Sequence, residues 1–207
     1  MARTVNQEEY AAKRDEILDV ALRLVYTKGY ERMTIQDMLS DLDMSSGAFY
    51  HYFKSKPVVL EALIARIQKQ AEQPLLPIVH DPHLSALAKF QRFFASLEQS
   101  GIEQQAFVAD LLRVWFADDN AIVREKVYEA MRERRAPLLT QIIRQGIQEG
   151  VFRASHPDET SEVILSVARS MGSAIARLMI AFMQDGDELR FTEGAAAAYA
   201  AHVDAVE

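Results

Sequence analysis

Apolar residues recur at helical spacing through most of this chain, and no segment alternates them with polar residues as a half-buried strand would. A first helix is predicted from about Glu8 to Lys28, with Gly29 as its C-terminal stop. Lys13 and Arg14 lie on its polar side, where they can touch a phosphate or be solvated, and we favour solvation. Its buried side consists of Ile17, Leu18, Ala21, Leu22, Leu24 and Val25. The pattern as a whole predicts an all-α protein.

The stretch from Thr34 to Lys56 predicts two short helices joined by a tight turn. Thr34 can cap the first helix, together with Asp37 three residues later. The turn falls at Asp43 and Met44, and Asp43 is expected in the left-handed conformation, which aspartate tolerates better than most residues. The apolar stripe of the first helix comprises Ile35, Met38, Leu39 and Leu42.

The second of these helices, which starts at Ser46 with Ser45 as its cap, is unusual for a helix that only has to be stable. It contains Gly47, although glycine in a helix interior costs about 0.5–1 kcal/mol relative to alanine. Lys54 and Lys56 lie at the start of the next helix, where cations are unfavourable, and no acidic residue occurs between positions 44 and 56. The small residues predict close approach of another surface and the lysines predict an anionic one. A recognition helix in a DNA major groove meets both conditions.

The aromatic residues at the end of this helix have two explanations. Phe49 and Phe53 are four positions apart and are expected to share an inner face that closes a small core. Tyr50 and His51 then point elsewhere, and with the two lysines they form a set of donors for phosphates. The alternative is that the aromatic residues are only the apolar end of a three-helix core.

Helical patterns continue through the rest of the chain. The fourth helix begins at Lys56 and fades before a loop with three prolines, which is the clearest candidate for a boundary visible in the pattern: Pro74, Pro77 and Pro82. The later helices are predicted over Pro82 to Gln99 with Asp81 as cap, Glu103 to Ala117, Asp118 or Asp119 to Gln148 with Pro137 kinking or splitting it, Pro157 to Gln184, and Asp187 to Ala205.

Composition narrows the classes of function. The 207 residues, 49% of them hydrophobic, suit one DNA-binding module plus a larger domain. The absence of cysteine excludes thiol redox sensing and thiolate metal sites. A formal net charge of -7 argues against unspecific polyanion binding by the whole chain, so DNA binding has to be local. No membrane span and no signal peptide are expected, and the expected location is cytoplasmic.

The residues around this predicted turn resemble those of the TetR family of one-component bacterial transcription regulators. The shared pattern is Thr34-Ile35, then Ser45-x-Gly47-x-Phe49-Tyr50-x-Tyr52-Phe53-Lys54-x-Lys56, preceded by a helix that ends at Gly29-Tyr30. The resemblance in motif covers roughly residues 10–60. The chain departs from the family at Leu39 and Leu42, where alanines are usual, and at Asp43, where glycine is usual.

This resemblance implies a three-helix DNA-binding domain with a helix-turn-helix over residues 8–56, and a larger helical effector-binding and dimerisation domain over residues 57–207. It implies that Ser46, Gly47 and Ala48 meet base edges. It also implies contacts to the DNA backbone, which come from Thr34, Ser45, Tyr50, Tyr52 and Lys56, and from the residues themselves we add His51 and Lys54 as donors. The expected protein is a homodimeric, ligand-responsive repressor on a palindromic double-stranded DNA operator, with a small-molecule effector and without enzymatic activity, cofactor or metal.

Some support for a dimer comes from the predicted eighth helix. It offers small residues for close helix approach, namely Ala168, Gly172, Ser173 and Ala176. Because its apolar residues lie nearly all round, the helix must be buried on more than one side. An internal helix of a monomer would meet that demand as well.

An apolar effector pocket is predicted from aromatic residues with one polar group: Phe94, Phe107, Trp115, Phe116 and Tyr128, with Arg113. Each aromatic side chain can equally be part of the core. His80 and His83 flank Asp81, but a capping role for Asp81 explains them better than a metal site. The alternative function is a helical small-molecule-binding protein or an enzyme without DNA binding, although no catalytic triad or phosphate loop is visible.

Overall fold

The computed structural model describes residues 7–98 and 112–204, and all the regular structure of these residues is helical. The helices are α1 Gln7–Lys28, α2 Ile35–Leu42, α3 Ser46–Tyr52, α4 Lys56–Glu72, α5 Leu75–His80, α6 Ala86–Glu98, α7 Ala121–Gln148, α8 Pro157–Asp185 and α9 Glu188–Asp204. A helical segment at residues 112–116 and a 3-10 turn at Asp118–Asn120 precede α7. The predicted all-α fold is confirmed. Most of the predicted helix from Glu103 lies outside the described residues.

The described residues form two compact units. The first contains residues 7–69 and 114–130, and the second contains residues 70–98, 112–113 and 131–204. Each has its own apolar core: Phe49, Phe53 and Leu63 are buried in the first unit, and Phe93, Leu139 and others are buried in the second. This packing division does not follow the boundary at residues 56 and 57, which stays a prediction about the functional domains.

The start of α2 depends on a reciprocal pair of hydrogen bonds. Thr34 Oγ1 accepts from the Asp37 amide at 3.1 Å, and the Asp37 carboxylate accepts from the Thr34 amide at 2.7 Å. Lys28 Nζ lies 2.6 Å from the same carboxylate. Hydrogen bonds from Lys28 and then Thr34 lower the pKa of Asp37 to about 2. The predicted capping box is confirmed, and α1 is tied through Lys28 to its start.

A helix occupies part of the segment in which the sequence predicts a proline-rich loop. The prediction is wrong for α5, which starts after Pro74 and contains Pro77 as its third residue. The first amides of a helix have no intrahelical acceptor, so a proline there removes no hydrogen bond. Leu75 and Val79 are buried and hold this short helix against the second core.

The start of α6 differs from the prediction as well. Asp81 accepts a hydrogen bond from the His83 amide at 2.8 Å and is the C-cap residue of α5, so it is not the N-cap of α6. The cap is Ser85, whose hydroxyl accepts from the Ala88 amide at 3.3 Å, and α6 begins at Ala86. Pro82 therefore precedes α6 by four residues instead of opening it.

The sequence predicts that Pro137 kinks or splits α7. The split is wrong, because the helix continues through that residue, and the kink stays a prediction. Ala136, Leu138 and Leu139 flank the proline and are buried in the core of the second unit. Their burial offsets the loss of one backbone hydrogen bond, since each large apolar side chain contributes about 1.5–3 kcal/mol.

By length and composition alone, α8 is long and apolar enough to cross a membrane. No membrane span is predicted from the sequence. Soluble helical proteins also contain helices that meet this criterion, and Arg169 and Arg177 interrupt the apolar surface of α8. Only 11% of its most apolar window is buried within this chain.

Asn120 joins three segments within the first unit. Its side-chain oxygen accepts from the Tyr30 amide at 2.8 Å, and its amide nitrogen donates to the carbonyls of Val25 at 3.1 Å and Val114 at 3.0 Å. The residue is 1% exposed. Next to it, Gly29 has φ +85°, and a Cβ there would lie 2.6 Å from Asp119 Cβ. The end of α1 and the segment before α7 therefore approach too closely for any side chain at position 29.

Replacing Asn120 by alanine should lower the free energy of unfolding by about 2–4 kcal/mol. Each buried backbone group left without a partner costs about 1–3 kcal/mol. Urea denaturation measures the difference, with Asp118→Ala, at an exposed neighbouring position, as the control. Equal stability of both variants would show that Asn120 does not hold these segments together.

The pH dependence of stability should change when Asp37 is replaced by asparagine. Because the folded-state pKa of Asp37 is lowered, its contribution is fully present above about pH 4 and is lost as the pH falls towards 2. The stability difference between wild type and Asp37→Asn should therefore shrink over that interval. Denaturation at several pH values tests this, with Glu129→Gln as a control at an exposed carboxylate. A constant difference would contradict the assigned pKa.

Candidate nucleic-acid interface

The turn between α2 and α3 has the geometry of a helix-turn-helix. Asp43 adopts φ 46° and ψ 47°, the left-handed conformation expected from the sequence. Its amide donates to the Leu39 carbonyl, and the Met44 amide donates to the same carbonyl at 3.0 Å. Both bonds satisfy the end of α2, so the chain can reverse direction within a few residues.

One side of α3 is buried and the other is exposed to solvent. Phe49 and Phe53 are both 0% exposed, with ring centroids 6.3 Å apart, which confirms them as core residues. Tyr50 is 42% exposed, and His51 is exposed beside it. The alternative in which all the aromatic residues belong to the core therefore does not hold for these two side chains.

The first turn of α3 presents small exposed side chains. Ser45 Oγ accepts from the Ala48 amide at 3.3 Å, which confirms the predicted cap. Ser46, Gly47 and Ala48 are all exposed. A Cβ built on Gly47 would meet no described atom within 4 Å. Packing within the described chain therefore does not explain the glycine.

The C-terminal end of α3 is held by two cations. Arg14 donates to the Tyr52 carbonyl at 2.7 Å, and its guanidinium lies 4.1 Å from the ring centroid of Phe53. Lys54 Nζ donates to the Tyr50 carbonyl at 2.9 Å. Cations at a helix C-terminus satisfy free carbonyls and interact favourably with the helix dipole. The expectation that Arg14 is merely solvated is wrong.

Tyr10 of α1 also positions this end of α3, although the sequence analysis did not single it out. Its ring is stacked on Tyr52 with a centroid distance of 5.0 Å and meets His51 edge-on at 5.6 Å. Tyr10 and Arg14 are four residues apart and therefore share one face of α1. That spacing was visible in the sequence, but it did not reveal which helix this face contacts.

Lys56 has partners within the chain. Its Nζ donates to the Glu31 carbonyl at 3.2 Å and lies 4.4 Å from the ring centroid of Tyr30. From the sequence, an external anion is expected to offset this cation at the start of α4. In the free protein, a carbonyl and an aromatic face provide part of that compensation.

The predicted DNA-binding residues lie along and beside α3. Ser45, Thr34 and Lys54 are exposed, whereas Tyr52 and Lys56 are partly buried. The described structure contains no acidic residue between positions 44 and 56, so this surface is free of carboxylates from its own segment. The arrangement offers a narrow, donor-rich surface that fits a groove lined by phosphates.

The predicted effector residues are divided between the two units. Phe107 lies outside the described residues. Phe94 packs on the core of the second unit beside Phe90, with centroids 4.9 Å apart. In the first unit, Trp115 meets Tyr128 edge-on at 6.2 Å. The remaining two residues are Arg113, which is exposed, and Phe116, which lies 5.4 Å from the Arg124 guanidinium. Their role in effector binding stays a prediction.

Residues 7–98 and 112–204 contain no arrangement of side chains that supports a metal site. No group of three or more histidine or acidic side chains in these ranges could hold an ion. His80 is the last residue of α5, and His83 lies in the turn after it, where its amide donates to the Asp81 carboxylate.

Both parts of the chain match known families. Residues 17–63 match bacterial regulatory proteins of the tetR family, and residues 115–172 match the tetracyclin repressor-like C-terminal domain. An uncharacterized HTH-type transcriptional regulator in the dhlA 5′ region of Xanthobacter autotrophicus is 30% identical over 140 residues, which cover 61% of this chain and 67% of that protein.

More distant relatives are named as transcriptional regulators as well. The HTH-type transcriptional repressor KstR2 of Mycolicibacterium smegmatis is 21% identical over 146 residues, 69% of each chain. The structure of a transcriptional regulator from Cytophaga hutchinsonii superposes with a TM-score of 0.59 at 18% identity, over 92% of this chain and 94% of that one. At this identity the superposition shows the fold alone.

The capped α2, the left-handed turn and the bare first turn of α3 lie within the segment that matches the tetR family. We conclude that the chain belongs to the TetR family of bacterial regulatory proteins and is a DNA-binding transcriptional regulator.

Proposed function

We propose that this regulator is a ligand-responsive repressor that binds a palindromic operator as a homodimer. The observation that carries the proposal is the first turn of α3. Ser46, Gly47 and Ala48 are exposed there, and no described atom lies within 4 Å of a Cβ built on Gly47. Such a surface can enter the major groove deeply, because small side chains let the helix backbone approach the base edges.

Phosphate contacts fix the orientation of α3 in the groove. The donors available for them surround the bare turn: Thr34, Ser45, Tyr50, His51, Tyr52, Lys54 and Lys56. Contacts of this kind position the protein but carry no sequence information directly. With only three small residues facing the bases, much of the specificity comes from DNA shape and deformability.

Dimerisation is supported by apolar side chains that α8 and α9 leave exposed. Val163 is 59% exposed, Leu189 68% and Tyr199 62%. The two helices are closely packed against each other, since a Cβ on Gly194 would lie 2.7 Å from Leu178. Large apolar side chains left exposed on two packed helices favour a protein interface there. Two copies joined there present two α3 helices to the two halves of a palindrome.

The ligand response is a shift between two conformations. A ligand that binds better to the conformation with wrongly spaced α3 helices weakens DNA binding by its differential affinity. α7 supports such coupling, because this single continuous helix contributes residues 121–130 to the first unit and residues 131–148 to the second. Repression is the proposed outcome because the relative KstR2 is named as a transcriptional repressor.

A competing proposal is a helical small-molecule-binding protein or an enzyme without DNA binding. Both proposals assign small-molecule binding to the helical second unit. They differ in whether α3 binds DNA. Loss-of-affinity tests at α3 separate the two, since the competing proposal predicts no specific DNA complex to weaken. Cytoplasmic location follows from our proposal, because that is where a bacterial operator is accessible.

Replacing Gly47 by alanine should affect stability and DNA binding in opposite directions. The added methyl group meets no described atom and should stabilise the free protein by up to about 0.5–1 kcal/mol. On DNA, crowding of about 1–3 kcal/mol should weaken binding about five- to 150-fold. Thermal denaturation and titration of a duplex retained from a random pool measure the two effects. Unchanged affinity would remove Gly47 from the interface.

Replacing Lys56 by alanine should weaken binding to all duplex sequences alike. The slope of log K against log salt should fall by about 0.9 for each phosphate contact removed. Lys69→Ala is the matched control, since Lys69 is an exposed lysine near the other end of α4. If Lys56 acted only through its bond to the Glu31 carbonyl, affinity would fall but the salt slope would stay the same.

A further inference from the structure

The loop between α1 and α2 makes a series of polar contacts with the 3-10 turn that precedes α7. The Tyr30 amide donates to the side-chain oxygen of Asn120 at 2.8 Å. The Glu31 amide donates to the Asp119 carbonyl at 3.1 Å, and Arg32 Nε lies 2.8 Å from the Asp119 carboxylate. Three consecutive residues of the loop are therefore bound to two consecutive residues of the turn.

Two of these loop residues also hold Lys56, the first residue of α4. Lys56 Nζ donates to the Glu31 carbonyl at 3.2 Å and lies 4.4 Å from the ring centroid of Tyr30. Tyr30 and Glu31 thus contact the 3-10 turn through their amides, and they contact Lys56 through a ring and a carbonyl. Because the atoms of one residue are covalently joined, a displacement of the turn is passed on to Lys56.

The loop itself has little freedom to absorb such a displacement. The Met33 amide donates to the Gly29 carbonyl at 3.0 Å, which closes the loop into a single turn. Tyr30 is 7% exposed and Met33 is 1% exposed, so packing in the first unit fixes both side chains. The loop therefore moves with the 3-10 turn instead of relaxing around it.

Lys56 keeps donors for a phosphate in this position. An ammonium group has three N–H donors, and the Glu31 carbonyl accepts from one of them. A lysine loses rotamer freedom when it is fixed on a phosphate, and a side chain that is already held over an aromatic ring loses less. The contacts with Tyr30 and Glu31 therefore prepare Lys56 for the DNA backbone.

We propose that Asn120 is a positioning residue for the phosphate contact of Lys56, and that it acts through the two loop residues that hold the lysine. The turn before α7 then affects phosphate binding directly, in addition to the spacing of the two α3 helices. This inference rests on the proposed function, because that proposal assigns the phosphate contact to Lys56. It adds a buried residue to those that determine the affinity for DNA.

A double-mutant cycle on the full-length protein tests the coupling. Asn120→Ala should weaken binding of a duplex retained from a random pool about three- to tenfold, and it should have no further effect in a Lys56→Ala background. A merely structural asparagine would lower stability and would reduce affinity equally in both backgrounds. Circular dichroism checks that every variant is folded. Ile122→Ala, at an exposed position two residues further along, should keep wild-type affinity.

Tyr30 provides a second test that does not depend on whether the fold tolerates Asn120→Ala. Tyr30→Phe keeps an aromatic face beside Lys56 and should bind the duplex as wild type does. Tyr30→Leu removes that face and should weaken binding only while Lys56 is present. Both variants keep the backbone amide that donates to Asn120.

Two results would overturn the inference and leave the proposed function intact. One is an equal loss of affinity from Asn120→Ala and Tyr30→Leu with and without Lys56. The other is tighter DNA binding by these two variants, which would show that the loop holds Lys56 away from phosphates. If Lys56→Ala itself changed neither affinity nor salt slope, the phosphate contact in the proposed function would fail together with the inference.

Discussion

α3 has seven residues, and a helix of that length does not persist in water on its own. Its conformation depends on the burial of Phe49 and Phe53 and on partners for the backbone groups at both of its ends. Ser45 satisfies an amide at the start, and Arg14 and Lys54 satisfy carbonyls at the end. All of these contacts lie on the inner side or at the termini of the helix. The outer side of its first turn is therefore left free for DNA.

Side-chain contacts also connect α3 with the rest of the first unit. α1 supplies Tyr10 and Arg14 to one end of α3 and Lys28 to the start of α2, while Asn120 fixes the C-terminal end of α1 from the segment before α7. A displacement of α7 would thus act on α1 through buried hydrogen bonds, which tolerate little stretching.

The helix caps and the turn of the helix-turn-helix were predictable from the sequence, whereas hydrogen bonds between residues far apart in the chain were not. The caps at Thr34 and Ser45 and the left-handed Asp43 depend on residues within four positions of one another, and all three predictions are confirmed. Arg14 and Tyr52 are 38 positions apart, and Asn120 and Val25 are 95 apart, so no local pattern reveals their bonds. The loop predicted from the prolines is wrong at Pro77, because the backbone amides in the first turn of a helix make no intrahelical hydrogen bond that a proline could remove. Effector residues stay predictions because aromatic side chains have the same sequence pattern in a core and in a pocket.

The most direct measurement is selection of random duplex DNA by the purified full-length protein, with sequencing of the retained pool. The account predicts an inverted repeat whose half-sites lie about one helical turn apart, since a dimer presents two copies of α3 to one face of the DNA. Such a repeat would establish both the reading surface and the dimer. A pool without an enriched sequence, together with weak binding even at low salt, would contradict the assignment of the first turn of α3 as the DNA-reading surface.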